Sequence, residues 1–131
     1  MPTRQRVREF IDAVVNGNHA EVIAKFYDEQ ASLQENCELP VIGRDKLVQR
    51  EQASLDRLNQ MTTHQPEFVM INEDSVVIEW TFDATDKKGI TRRLNEISLQ
   101  TWRDQHIASE RFVYDTASAW QIVASTTSVE G

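Results

Sequence analysis

The spacing of apolar residues changes half-way along this chain of 131 residues, and that change limits the folds that the chain can adopt. Near the N-terminus, apolar residues recur three and four positions apart, as on one face of an α-helix: Val7, Phe10, Ile11, Val14 and Val15. Farther along, they alternate with other residues, as on one face of a β-strand: Val76, Ile78, Trp80 and Phe82. Helices followed by a run of strands predict an α+β fold and not an alternating parallel sheet.

Turn and capping signals divide the two halves into elements. Gly17 ends the first helix, and Asn18 with Glu21 has the spacing of a capping box, which starts a second helix that should include Tyr27 and end near Glu29. A third helix is expected over 45–59. Strands are expected at 31–36, 67–72, 75–84, 91–103 and 107–115, with a last apolar segment at 120–123. These elements predict one domain over 1–124, followed by a flexible tail at 125–131.

The charge balance argues against nucleic acid and membranes as partners. The chain has 14 Lys and Arg against 21 Asp and Glu, a formal net charge of −7, whereas a nucleic-acid-binding protein needs a cationic face for the phosphates. No apolar run approaches the roughly 18 residues of a membrane span, and the N-terminus lacks the apolar segment of a signal peptide. A cytoplasmic location is therefore expected. Cys37 is the single cysteine, which excludes an intramolecular disulfide.

The sequence also lacks the usual motifs for metals and nucleotide cofactors. His19, His64 and His106 are far apart, no two histidines are four positions apart, and there is no HExxH motif. Neither a Walker loop, a GxGxxG segment nor a GxSxG nucleophile elbow occurs. We expect no metal and no cofactor.

The order of elements and several short segments resemble the nuclear transport factor 2-like superfamily. Segment 14–21 (VVNGNHAE) resembles the junction between the family's first two helices, 26–31 (FYDEQA) the entry to its first strand, and 43–47 (GRDKL) the start of its third helix. Segments 102–107 (WRDQHI) and 110–115 (ERFVYD) resemble the closing hairpin of its SnoaL-like branch. The resemblance implies a cone-shaped α+β fold, in which a strongly curved, mostly antiparallel sheet and three N-terminal helices enclose a pocket.

Strand alternation indicates which side chains face that pocket. The apolar set of 75–84 should face inward, as should Leu33 and Glu35 on the first strand. On 107–115 we favour the set that carries both aromatic rings: Glu110, Phe112 and Tyr114. On 91–103 two sets stay open, namely Leu94, Glu96, Ser98, Gln100 and Trp102 or Arg93, Asn95, Ile97, Leu99 and Thr101. The ligand-binding candidates are Phe10, Val14, Tyr27, Leu33, Trp80, Phe82, Gln100, Trp102, Phe112 and Tyr114.

Glu35 is the first candidate for chemistry. The resemblance places it where ketosteroid isomerases keep a carboxylate general base, and an apolar wall disfavours the charged form of a carboxyl, which raises its pKa. The structural alternative is that Glu35 reaches the rim of the pocket or pairs with a basic side chain such as Arg44. Glu96 and Glu110 are the other acid–base candidates.

Other parts of the relatives' sites are missing. The tyrosine donor of ketosteroid isomerases would fall on Phe10 and their second, protonated carboxyl near Ser98, which leaves an enolate without an evident pair of donors. The Arg-x-Asp pair of limonene epoxide hydrolases would fall on Trp80 and Phe82, which supply neither acid nor base.

The leading function is therefore a cofactor-independent SnoaL-like enzyme, isomerase, cyclase or hydratase-like, that acts on a small apolar carbonyl compound. The alternative is a non-catalytic ligand-binding or assembly domain. A homodimer through the outer face of the sheet is also expected, because apolar and β-branched residues recur at outward positions. They are Val77, Thr81, Ile97, Leu99, Thr101, Ile107 and Val113.

Overall fold

Three helices form the N-terminal layer of the protein. The structure is a computed structural model that describes residues 1–125, and its helices are α1 (Arg4–Asn16), α2 (His19–Phe26) and α3 (Arg44–Asp56). The Thr3 hydroxyl accepts a hydrogen bond from the backbone N of Arg6 and caps the first helix, and Asn18 Oδ1 accepts one from Glu21 N, which caps the second helix as the sequence predicts. Within residues 1–125 no helix is long and apolar enough to cross a membrane.

The strands form one curved sheet on which the helices pack. Their bounds are β1 (Tyr27–Glu35), β2 (Val41–Ile42), β3 (Leu58–Thr63), β4 (Val69–Asn72), β5 (Ser75–Asp86), β6 (Ile90–Arg103), β7 (His106–Val113) and β8 (Gln121–Ser125). The order is β2-β1-β7-β6-β5-β3, with β4 also on β5 and β8 also on β6. The pair β1–β7 is parallel and the other pairs are antiparallel. The α+β prediction is thereby confirmed.

Several predicted boundaries are wrong, and strand pairing explains each difference. Tyr27 is not helical: it is extended, with φ −94° and ψ 144°, and it pairs with Ile107. The third helix stops at Asp56, and Leu58 begins a strand that pairs with β5. Ser125 belongs to β8 and not to a tail, while the rest of the expected tail, 126–131, lies outside the described residues. Long-range pairing overrides local propensity at these positions.

Burial resolves which face of each strand points inward. The set of β5 that was expected inside is buried: Val76, Ile78, Trp80 and Phe82. On β6 the polar-containing set is the buried one, namely Leu94, Glu96, Ser98, Gln100 and Trp102. On β7, Glu110 is buried and Arg111 is exposed, as expected. The inner face therefore carries three buried polar side chains on β6, at Glu96, Ser98 and Gln100, and a fourth on β7, at Glu110.

One outward assignment is wrong. Ile107 is fully buried in the core, although the alternation counted back from Val113 had placed it outside. The register between β6 and β7 shifts between Thr101 and Trp102, so that Trp102 pairs with Ile107. Such a bulge adds a residue and reverses the faces beyond it.

Candidate functional site

A cavity of about 470 Å³ lies between the helices and the inner face of the sheet. Its apolar wall comes from helices α1 and α2, from strands β1, β3, β5, β6 and β7, and from the turn before β8: Phe10, Val14, Val22, Ile23, Tyr27, Leu33, Leu58, Met61, Trp80, Phe82, Ala84, Leu94, Phe112 and Trp120. Its polar lining is His19, Glu35, Glu51, Ser54, Arg57, Asp86, Arg92, Glu96 and Glu110. A mostly apolar cavity with a few convergent polar groups is the usual form of a small-molecule site.

A buried hydrogen-bond network organises one wall of the cavity around Glu110. The hydroxyl of Tyr27 donates to Oε1 of Glu110, while Ser98 Oγ and Gln100 Nε2 (2.7 Å) both donate to Oε2. The indole N–H of Trp102 donates to Gln100 Oε1 at 2.9 Å, which fixes the carboxamide. Both oxygens of Glu110, on β7, are thus occupied by donors from two other strands, β1 and β6.

Burial raises the pKa of both titratable groups on this wall, Glu110 and Tyr27. Burial raises the pKa of Glu110, although the hydrogen bonds from Gln100, Ser98 and Tyr27 oppose that shift by stabilising the carboxylate. Burial and the neighbouring Glu110 raise the pKa of Tyr27 well above its usual value. The phenol therefore stays protonated and remains a hydrogen-bond donor.

Glu96 lines the same cavity but has a different environment. It lies opposite Trp80 across β5 and β6 and is only 7% exposed, and within residues 1–125 its carboxyl has neither a hydrogen-bond partner nor an ion pair. Burial is the main cause that raises its pKa to about 9, followed by the negative charges of Glu110, Glu35 and Glu51. At neutral pH Glu96 is therefore a carboxylic acid with a proton to donate.

Glu35 lies at the end of β1 and is half-buried, whereas Glu96 and Glu110 are buried. Its pKa is raised by burial and by Glu38, and Arg50 acts in the opposite direction. The expected alternative partner, Arg44, instead donates a hydrogen bond to the backbone oxygen of Tyr27 at 3.4 Å. Glu35 therefore contacts the cavity without that ion pair.

The structure brings together most of the residues that the sequence singled out. The three glutamates Glu35, Glu96 and Glu110 line one cavity, as do seven of the expected ligand-binding residues, namely Phe10, Val14, Tyr27, Leu33, Trp80, Phe82 and Phe112. Among the described residues that line the cavity, Gln100, Trp102 and Tyr114 are not found. Gln100 and Trp102 instead support the cavity wall indirectly: Gln100 donates a hydrogen bond to Glu110, and Trp102 donates one to Gln100.

Sequence reasoning missed one polar corner of the cavity, formed by His19 and its neighbours. His19 Nε2 lies 3.1 Å from the backbone oxygen of Val14 and 2.9 Å from Thr63 Oγ1, and Nδ1 lies 3.6 Å from Glu51 Oε2. Because a carbonyl oxygen can only accept a hydrogen bond, Nε2 of His19 carries a proton and donates to the backbone oxygen of Val14. The spacing of His19 with Val22 and Ile23 on one helical face was the signal available for it.

The mouth of the cavity was also missed. Arg57, Leu58 and Met61 follow α3, which ends at Asp56 and not at the predicted position 59, and Trp120 precedes β8. The local pattern placed Arg57 and Leu58 in a helix and Trp120 in a last apolar segment, but it did not place them at the cavity, because β3 and β8 take their positions only by pairing with β5 and β6. In the described part of the chain, no group of three His, Cys, Asp or Glu side chains is arranged to hold a metal ion.

The fold and the cavity together define a small α+β domain of the nuclear transport factor 2-like type, built around an internal pocket. The chain belongs to the SnoaL-like domain family, whose model matches residues 7–110. No curated protein matches the chain.

Solved structures with the same fold support this assignment. One is described as a polyketide cyclase from Xanthomonas campestris (TM-score 0.73, 20% identity, 87% of this chain and 93% of that chain). Another is described as a SnoaL-like polyketide cyclase from Mesorhizobium loti (TM-score 0.69, 22% identity, 84% and 97%). A third, from Catenulispora acidiphila, has a ketosteroid isomerase-like fold and was crystallised with trimethylamine (TM-score 0.72, 14% identity, 89% and 90%).

Proposed function

We propose that this domain is a cofactor-independent acid–base enzyme, isomerase, cyclase or hydratase-like, for a small apolar carbonyl compound. The observation that carries the proposal is the convergence of a neutral carboxyl, Glu96, and a second carboxyl, Glu35, on one apolar cavity. Two carboxyls in different environments are a common arrangement for an acid and a base.

In this proposal the two carboxyls act at opposite ends of a carbonyl group. Glu96 keeps its proton at neutral pH and donates a hydrogen bond to the carbonyl oxygen, which stabilises the negative charge that develops there. Glu35, which is half-buried, takes the proton from the carbon next to the carbonyl. Return of that proton to another carbon gives an isomer, and attack of the enol carbon on a second carbonyl gives a ring.

Glu96 can supply the protonated carboxyl that ketosteroid isomerases use as a hydrogen-bond donor and that the sequence comparison did not find in this chain. The position expected for a second carboxyl, Ser98, holds a hydroxyl that is already bonded to Glu110. Glu96 is two residues earlier and on the same face of β6, so a protonated carboxyl is available to the cavity after all.

The proposal can be tested without knowledge of the natural substrate. Exchange of the α-hydrogens of small cyclic ketones in D₂O, followed by NMR, measures proton abstraction directly. We expect the protein to accelerate this exchange, and Glu35→Gln and Glu96→Gln each to lower the rate by at least about a hundredfold. Glu79→Gln, on the outer face of β5, is the matched control. Exchange that is no faster than in buffer for every ketone tried would contradict the enzyme proposal.

A homodimer is a second proposal, carried by one surface observation. Neighbouring strands place apolar residues side by side on the outer face of the sheet: Met70, Val77, Ile97, Leu99 and Val113, here called the outer patch. Ile97 and Leu99 are 39% and 40% exposed. A contiguous apolar patch on a sheet face suits a self-complementary twofold interface, and such an assembly is compatible with either a catalytic or a purely ligand-binding pocket.

A further inference from the structure

The cavity contains more acidic than basic groups. Five of its lining side chains carry a carboxyl: Glu35, Glu51, Asp86, Glu96 and Glu110. The cationic side chains of the lining are Arg57 and Arg92, and Arg92 is already paired with Asp86 at 2.9 Å. Even with Glu96 protonated at neutral pH, the carboxyls of the lining outnumber its two arginines, which disfavours an anionic ligand.

Glu96 gives a second, independent indication that the ligand carries a positive charge. Its side chain is more than nine-tenths buried and lines the cavity, and no described residue donates a hydrogen bond or a positive charge to it. Buried carboxylates are normally paired or hydrogen-bonded. A group of the ligand is left to supply the partner.

The surroundings of Glu96 are aromatic. Trp80 lies directly across the strand pair from it, and side chains in such positions have Cβ atoms about 5 Å apart. Trp80 stacks on Phe82 with ring centroids 5.6 Å apart, and Phe10 meets Trp80 edge-on at 6.4 Å. A cation beside Glu96 would also be attracted by the electron-rich face of the indole.

We propose that this cavity binds apolar organic cations, of the amine or quaternary ammonium class, with the charged nitrogen beside Glu96. The apolar part of such a ligand fills the space lined by Phe10, Phe82 and Leu94. The inference rests on the proposed function in so far as both use the same cavity, but it requires binding and not turnover. It also predicts that organic cations compete with carbonyl compounds.

The two ligand classes should respond to pH in opposite directions. A cation favours the ionised form of Glu96, so its binding expels the proton that the free protein holds, and its affinity falls by about tenfold per pH unit as pH is lowered below 9. A carbonyl oxygen needs the protonated form, so its affinity falls as pH rises through 9. The other charged groups that line the cavity with Glu96 are Glu35, Glu51, Asp86, Glu110, Arg57 and Arg92, with His19 beside Glu51.

Calorimetry with three probes of one shape tests the inference: benzyltrimethylammonium, benzyl alcohol and benzoate. The first is permanently charged, so a proton released on binding comes from the protein. Titration at pH 7.5 in two buffers with different ionisation enthalpies counts that proton. We expect the cation to bind most tightly, benzoate least, and about one proton to be released per cation bound.

Variants separate this inference from the proposed enzyme. Glu96→Gln should bind the cation at least about tenfold more weakly and release no proton, whereas Glu79→Gln should match the wild type. Glu35→Gln should lose ketone exchange but keep cation binding with proton release, so the two proposals fail separately. If Glu96→Gln does not fold, the pH dependence of wild-type binding gives the same answer. Equal affinity for the cation and benzyl alcohol, with no proton released, would overturn the inference.

Discussion

The hydroxyl of Tyr27 donates its hydrogen bond to Oε1 of Glu110, a residue 83 positions away in the sequence. This contact joins the start of β1 to β7 and holds one wall of the cavity in place. The same carboxyl also accepts hydrogen bonds from Ser98 and Gln100. Because all three donors depend on one acceptor, the network should respond unequally to loss of the acceptor and loss of a donor.

Glu110→Ala should therefore destabilise the fold far more than Tyr27→Phe does. Removal of Glu110 leaves three buried donors without an acceptor, whereas Tyr27→Phe leaves one buried acceptor, Oε1 of Glu110, without a donor, and each such group costs about 1–3 kcal/mol. Urea unfolding followed by circular dichroism measures both losses. Tyr114→Phe is the control, since its hydroxyl has no hydrogen bond within residues 1–125. Equal losses in the two test variants would show that the network does not act as one unit.

Glu96 should make the protein less stable as pH rises. Its pKa in the folded protein, about 9, lies above the ordinary value of 4.5 that applies to the unfolded chain. Below pH 4.5 both states are protonated. Between 4.5 and 9 the unfolded chain releases the proton while the folded protein keeps it, so the free energy of unfolding falls by about 1.4 kcal/mol per pH unit from this group.

Glu96→Gln removes that dependence and should stabilise the protein at pH 8 relative to the wild type. The difference in free energy of unfolding should grow from pH 5 to pH 9 and stay constant above it. Denaturant titrations at several pH values, with Glu79→Gln on the outer face as the control, give the comparison. A variant that is less stable than the wild type at pH 8 would mean that Glu96 is ionised and paired in the folded protein.

The sequence predicted the layers of the fold because its two periodicities are clear. The helical spacing of Val7, Phe10 and Val14 and the alternation from Val76 to Phe82 both depend on burial of one face, and both are seen in the structure. Short strands without such a pattern, Val41–Ile42 and Leu58–Thr63, were not predicted. Their conformation is set by pairing with distant strands, which a local pattern does not contain.

The site was predictable only in part, for a similar reason. Alternation placed Glu35, Phe112 and Glu110 on inner faces, but β6 had two plausible faces, and only packing against Trp80 decides for Glu96. The bulge at Thr101 and Trp102, which turns Ile107 inward, has no signature in the sequence. Glu35, Glu96 and Glu110 line the cavity, and each of them interrupts an otherwise apolar inner face, which is where a sequence pattern indicates a site.

Trp120 should contribute to ligand binding at the mouth of the cavity. It lines the cavity from a turn in which Asp115 accepts a hydrogen bond from Ala117 N at 2.9 Å, and its backbone has φ of +60°, a conformation that suits glycine better than a bulky residue. Trp120→Gly removes the ring but relieves the backbone. We expect affinity for benzyl alcohol to fall several-fold, by about 1 kcal/mol, with no loss in the free energy of unfolding.

Trp120→Phe is the matched variant for that measurement, since it keeps an aromatic ring at the mouth. It should retain most of the affinity in the same calorimetric titration. If both variants bind benzyl alcohol as tightly as the wild type, then Trp120 covers no part of the bound ligand.

Leu99→Lys should dissociate the homodimer that we propose for the outer patch. Val77 and Arg111 flank Leu99 on the neighbouring strands, so a lysine there would place an unpaired ammonium in the middle of the interface, which is costly. Size exclusion coupled to light scattering should give twice the chain mass of 15.1 kDa for the wild type and a single chain mass for the variant. Leu39→Lys is the control, because Leu39 is 92% exposed in a loop outside the patch and should leave the dimer intact. A wild-type mass of one chain at micromolar concentration would exclude a stable dimer. A dimer that persists in Leu99→Lys would show that the two copies meet through another surface.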